Sequence, residues 1–72
     1  MTEKDFLSTM DEILNVEESV TMDAELDNLE EWDSLSALMF QSYVLKQTGK
    51  ALKPTDLKKA QTIRDLYVFV KE

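Results

Sequence analysis

A small all-α fold is what this sequence predicts, and three observations carry the expectation. One glycine and one proline in 72 residues leave too few turn signals for a β-sandwich or barrel. Apolar residues recur at spacings of three and four in separate stretches, the period of a helix with one buried face. Thr, Ser and Asp head those stretches, where their side chains can accept from the free N–H groups of a first turn. The reading is three main helices and one short third helix, arranged as a right-handed bundle in a single domain, residues 1–72. A long loop separates helices one and two.

Thr2 opens the first helix, with Asp5 three residues on in a capping-box relation. Phe6, Met10, Ile13 and Leu14 form its apolar stripe, and Asn15, which tolerates a left-handed backbone, closes it. Residues 16–33 are acidic yet punctuated by Val16, Val20, Met22, Leu26, Leu29 and Trp32, so they read as a loop pinned onto the core. Thr21 or Asp23 is placed to cap a single helical turn within it. The second helix is expected over Ser34–Thr48 with Gly49 as its C-terminal cap. Leu35, Leu38, Ser42 and Leu45 define one face of it. Met39, Phe40, Tyr43 and Val44 carry the apolar surface well round the cylinder, which implies burial on most sides or a patch kept for a partner. Lys53-Pro54 breaks the chain, Thr55 is placed to cap the short third helix through Ala60, and Thr62 with Asp65 heads the last. The expected core is Phe6, Met10, Ile13, Leu26, Leu29, Leu35, Leu38, Leu52, Leu57, Ile63, Leu66 and Val70.

Composition narrows the function. The chain is 43% apolar and 32% charged, a globular balance. With no cysteine and no histidine it has no disulfide frame, no thiolate metal cluster and only carboxylates as general bases, which argues against enzymatic activity. The start, Met1-Thr2-Glu3-Lys4-Asp5, is acidic and unlike a signal peptide, and no run is long enough to cross a bilayer. A cytoplasmic monomer is the expectation. The net charge of −7 is segregated: twelve acids face Lys4 alone up to Phe40, whereas seven cations face three acids beyond it. Such a surface repels nucleic acid and anionic membrane and attracts basic protein surfaces.

The most informative stretch is Trp32-Asp33-Ser34-Leu35, where the acidic loop gives way to the apolar helix. A serine there is displayed at the positive end of a helix dipole, a setting that suits a phosphate ester. Ser36, two residues on, falls inside the first turn, where a hydroxyl bonds back to the backbone. It also lacks a preceding aspartate, and is the poorer acceptor.

Asp33-Ser34-Leu35, followed by Leu38, Leu52, Leu57, Thr62 and Ile63 at ungapped spacing, resembles the acyl carrier protein family over essentially the whole chain, with Trp32 as in some specialised stand-alone carriers. The resemblance implies a carrier domain whose Ser34 receives a covalent 4′-phosphopantetheine from coenzyme A. A phosphopantetheinyl transferase would use Mg²⁺ to neutralise the pyrophosphate while the Ser34 hydroxyl attacks the β-phosphorus. Asp33 is implied as a partner or metal contact of that transferase, or as a helix cap. Leu35 and Met39 are implied as partner-recognition residues. Further partners are an acyl-loading ligase or transferase and downstream biosynthetic enzymes. The cargo is expected between helices two and three, beside Phe40, Val44, Leu57 and Ala60, where Phe40 and Tyr43 leave little room for a long acyl chain.

The chain departs from primary fatty acid carriers in having no acid from Leu35 to Thr48, with Met39 and Leu45 at positions often occupied by glutamate. Lys46, Lys58 and Lys59 reverse charges, and the acids have moved to the loop. The expected role is therefore an acyl carrier for a specialised lipid, polyketide or related pathway. The alternatives are an aminoacyl or D-alanyl type carrier and a non-enzymatic acidic helical interaction module. A calcium-binding loop at Asp23, Glu25 and Asp27 fails at two key positions, which hold Asn28 and Ser34 in place of glycine and glutamate.

Overall fold

In the computed structural model, which describes residues 2–71, the chain runs through α1 (Glu3–Leu14), a 3₁₀ turn (Leu26–Asn28), α2 (Ser34–Thr48), α3 (Pro54–Lys58) and α4 (Ile63–Lys71). The caps explain most of these limits. Thr2 Oγ1 accepts from the Asp5 N–H at 3.1 Å while the Asp5 carboxylate takes the Thr2 N–H, and Asn15 ends α1 at φ 54°. Gly49 ends α2 at φ 76°, a conformation that costs a β-carbon-free residue nothing. Thr62 and Asp65 form the same reciprocal pair at the head of α4, with Asp65 Oδ2 also taking the Gln61 N–H at 2.8 Å.

Two local expectations need correction. The third helix starts two residues early: Pro54 is its first helical residue and Lys53, not Thr55, is the cap position, with Asp56 Oδ2 accepting the Lys53 N–H at 3.0 Å. Proline lacks only an N–H that a first turn leaves free anyway, so here it starts the helix it was expected to precede. The helix also ends at Lys58 rather than Ala60. The single turn in the loop begins at Leu26 after Glu25, without a side-chain cap, and owes nothing to Thr21 or Asp23.

The loop is fixed at both ends. Val20, Met22 and Leu26 are buried, and Asp11 Oδ1 takes the Val20 N–H at 3.0 Å. Its middle is clasped to the start of α4 by three backbone bonds: Leu26 N–H to Gln61 O, Ile63 N–H to Ala24 O and Arg64 N–H to Met22 O, at 2.8, 3.1 and 2.8 Å. Arg64 adds ion pairs to Glu3 (3.6 Å) and Asp23 (3.5 Å), both exposed and worth little singly. Since most of the other acids before residue 41 lack such a partner among the described residues, added salt or millimolar Mg²⁺ is expected to raise the unfolding temperature by screening their repulsion. A midpoint unchanged by either would mean that the acids are already compensated.

The core joins Phe6, Met10 and Leu14 of α1 to Phe40 and Val44 of α2, Leu57 of α3, and Ile63 and Leu66 of α4. Ile13, Leu29, Leu52 and Val70 are half-buried against it, as part of the expected core. Leu35 and Leu38 are not: they are 67% and 58% exposed. The face of α2 drawn through Leu35, Leu38, Ser42 and Leu45 points to solvent, and the buried face runs Ser36, Phe40, Val44. A helix apolar nearly all round leaves its rotation undetermined by periodicity. The largest ring decides it, because an aromatic side chain removes more apolar area from water than a leucine does. The Phe40 ring meets those of Phe6, Trp32, Tyr43 and Phe69 at centroid distances of 6.2–6.5 Å.

Candidate functional site

The head of α2 is built around two side chains that face inward and one that does not. Asp33 is the N-cap: its Oδ1 accepts the N–H groups of Leu35 (3.1 Å) and Ser36 (3.0 Å). Those bonds, the Ser36 N–H foremost, hold its carboxyl below the usual aspartate range even against some desolvation. Ser36 returns the favour. Its Oγ accepts the Asp33 N–H at 2.8 Å and donates towards Glu31 O at 2.9 Å, and the residue is 4% exposed. Sequence reasoning anticipated that Ser36 would bond back to the backbone but missed that it joins the loop to the helix. The Asp-x-x-Ser spacing at a helix start was the available signal.

Ser34 lies between these residues at the first position of α2 and is exposed. Among the described residues its hydroxyl has no hydrogen-bond partner. The rigid frame on either side therefore presents one free hydroxyl at the positive end of a 15-residue helix. Leu35 and Met39 follow on the outer face of α2, 67% and 44% exposed. Together with Leu38 and Leu45 they form an apolar stripe on a helix surface that carries no acid. The structure thus brings Asp33, Ser34 and Leu35 together, with Met39 one turn below Leu35.

Beside Ser34, between α2 and α3, opens a cleft of about 440 Å³. Trp32, Ala37, Leu38, Pro54 and Leu57 give it apolar walls, and Gln41 and Lys58 add polar ends. Gln41 is occupied: its Nε2 donates to Leu52 O at 2.9 Å and ties α2 to the segment before α3. Of the residues expected to line this space only Leu57 does so. Phe40 and Val44 are fully buried in the core, and Ala60 borders a different recess with Asp65 and Phe69. The same rotation of α2 that exposes Leu38 moves the cleft wall from Phe40 to Leu38 and Ala37.

The loop acids do not converge. Glu25 Oε2 accepts from Asn28 Nδ2 at 2.9 Å and Asp23 pairs with Arg64, and among the described residues no three acids are grouped to hold a metal ion. Asp65, capping α4, is a second carboxyl held low, by the Gln61 N–H first and then the Thr62 N–H. A carboxylate with a depressed pKa stabilises the fold above its unfolded value, near 3.8, and that contribution disappears as pH falls through the lower folded value. Acid below about pH 4 is thus expected to weaken the α4 clasp. Urea unfolding at neutral pH and at pH 3 measures this: Asp65→Asn, which keeps an acceptor oxygen but no charge, should show a smaller acid loss than the unmodified chain. An equal loss in both would show that Asp65 is not one of the responsible groups.

The exposed Ser34 hydroxyl thus stands at a helix terminus beside a largely apolar cleft. The family described as "Phosphopantetheine attachment site" matches residues 4–70 of this chain. No curated protein and no solved structure gave a match. Domains of this family attach a covalent 4′-phosphopantetheine, are not themselves catalytic, and work with a phosphopantetheinyl transferase and biosynthetic enzymes. The match spans all four helices and the loop that carries the exposed serine to the head of α2, so the chain belongs to the phosphopantetheine-binding carriers, the family that includes acyl carrier proteins.

Proposed function

We propose that Ser34 is the attachment residue and that the chain carries acyl intermediates for a specialised biosynthetic pathway. The observation behind the first part is the contrast between the two serines at the head of α2. Ser34 is exposed and unbonded among the described residues, whereas the Ser36 hydroxyl is buried and engaged on both sides. In the transfer, Ser34 Oγ attacks the β-phosphorus of coenzyme A, the P–O–P bond breaks, and adenosine 3′,5′-bisphosphate departs. The hydroxyl proton passes to a base of the transferase. Asp33 contributes position, since its cap fixes the turn from which Ser34 projects. When bound, the arm supplies the thiol this cysteine-free chain lacks, and that thiol holds cargo as a thioester. Intact mass after incubation with a broad-specificity transferase and coenzyme A tests the proposal: one added phosphopantetheine per chain is expected.

The specialised role rests on the surface of α2. Leu35, Leu38, Met39 and Leu45 are 67%, 58%, 44% and 50% exposed, so packing demands do not account for apolar residues at these positions. A basic enzyme surface finds no counter-charge there, and Lys46 opposes it. Service to primary fatty acid enzymes should be poor, with a dedicated partner docking on Leu35 and Met39. The check is turnover of the loaded carrier by a standard malonyl transferase and ketosynthase. Met39→Glu combined with Leu45→Glu should raise kcat/KM by about tenfold or more through faster encounter and weaken the native partner. Full activity of the unmodified carrier with those enzymes would refute the idea.

A further inference from the structure

Among the described residues Lys58 is the only cation on the walls of the cleft beside Ser34. The lining is otherwise apolar apart from Gln41, Asp33 and Ser34. Gln41 spends its amide on Leu52 O, and Asp33 spends its carboxylate on the N–H groups of Leu35 and Ser36. Among the described residues Lys58 has no ion-pair partner. Its neighbour Lys59 borders a separate recess, away from Ser34, lined by Asp56, Ala60, Asp65, Val68 and Phe69. Lys58 is exposed, and the apolar surface beside it lowers the local dielectric on its cleft side, which strengthens its attraction for an anion bound there.

Resting on the attachment of the arm at Ser34, we infer that Lys58 is an anion anchor. It holds a negatively charged group of whatever Ser34 bears, either the phosphodiester of the arm or a carboxylate on its cargo. Lys58 thereby biases the cleft towards anionic rather than neutral contents. Lysine suits this task as a mobile point charge on a long stem, able to follow an arm that enters and leaves the cleft. It is a positioning residue and takes no part in bond making.

The test uses the whole labelled chain in four states: unmodified, bearing the free arm, and bearing the arm loaded with butyryl or with succinyl, transferred from the corresponding coenzyme A thioesters. The two cargoes have the same chain length and differ in a terminal carboxylate. Intact mass confirms each loading, and NMR follows the side-chain Cε and Nζ signals of Lys58 and Lys59 and the ³¹P signal of the arm. A move of Lys58, but not Lys59, when the free arm is added assigns the anion as the phosphodiester. A move that separates succinyl from butyryl assigns it as cargo carboxylate. In either case Lys58→Met should abolish the corresponding ³¹P or cargo shift, and Lys58→Arg should retain it. The inference is overturned if Lys58 and Lys59 move alike, if neither moves, or if Lys58 moves only with cargo and equally for the two acyl groups. A carrier that loads normally yet leaves Lys58 unmoved defeats the anchor alone. A chain that never gains the arm at Ser34 defeats the attachment reading and the anchor with it.

Discussion

Ser34→Ala is expected to abolish phosphopantetheine transfer outright, while Ser36→Ala leaves transfer intact and weakens the fold. The two serines stand two residues apart and share a solvent-side turn, but their hydroxyls have different surroundings. Oγ of Ser34 is free to approach phosphorus. Oγ of Ser36 is held by the Asp33 N–H at 2.8 Å and the Glu31 carbonyl at 2.9 Å, and an attack from it would require both bonds to break inside a residue 4% exposed. Removing the Ser36 hydroxyl leaves a partly buried N–H and carbonyl unsatisfied at about 1–3 kcal/mol. For a domain of this size each kcal/mol lowers the unfolding temperature by roughly 4–8 °C. The measurement is intact mass after transfer at a temperature where both variants are folded, paired with thermal unfolding. Loss of modification in folded Ser36→Ala, with Ser34→Ala still modified, would reverse the assignment.

Local rules made most of the fold and site legible. Thr2 with Asp5, Asn15, Gly49, and Thr62 with Asp65 were readable as caps because a cap depends on residues within one turn of each other. The exposed serine was legible for the same reason, since the break between acidic loop and apolar helix fixes where α2 begins. What escaped was non-local. No sequence rule indicates that Ala24 O receives the Ile63 N–H across more than thirty residues. The rotation of α2 escaped for a different reason. With leucine, methionine, phenylalanine, tyrosine and valine spread around the helix, several faces satisfy the helical period. The choice depends on which side chains the neighbouring helices can enclose. The error carried into the site, because the cleft wall and the partner stripe are both set by that rotation.

That rotation has a sharp consequence. Phe40→Ala should remove a large share of the chain's stability, whereas Leu38→Ala, two residues away on the same helix, should cost almost nothing. Phe40 is fully buried, and its ring lies against Phe6 of α1, Trp32 of the loop and Phe69 of α4. Truncation leaves a void where these elements meet, at a cost of about 3–5 kcal/mol. Stability of roughly 0.05–0.15 kcal/mol per residue gives a chain this short about 4–11 kcal/mol in all, so the loss takes a large share of it and at the low end the whole. Leu38 is 58% exposed and lines an open cleft, so its loss should stay within about 0.5 kcal/mol. Urea unfolding followed by circular dichroism separates the two, and near-ultraviolet signals from Trp32 report whether the aromatic cluster survives in Phe40→Ala. The sequence-level core, with Leu38 inside, predicts that Leu38→Ala costs several kcal/mol. If Leu38→Ala were the more damaging change, α2 would have to be turned about its axis, and the exposed stripe through Leu35 and Met39 would be part of the interior instead of a surface for a partner.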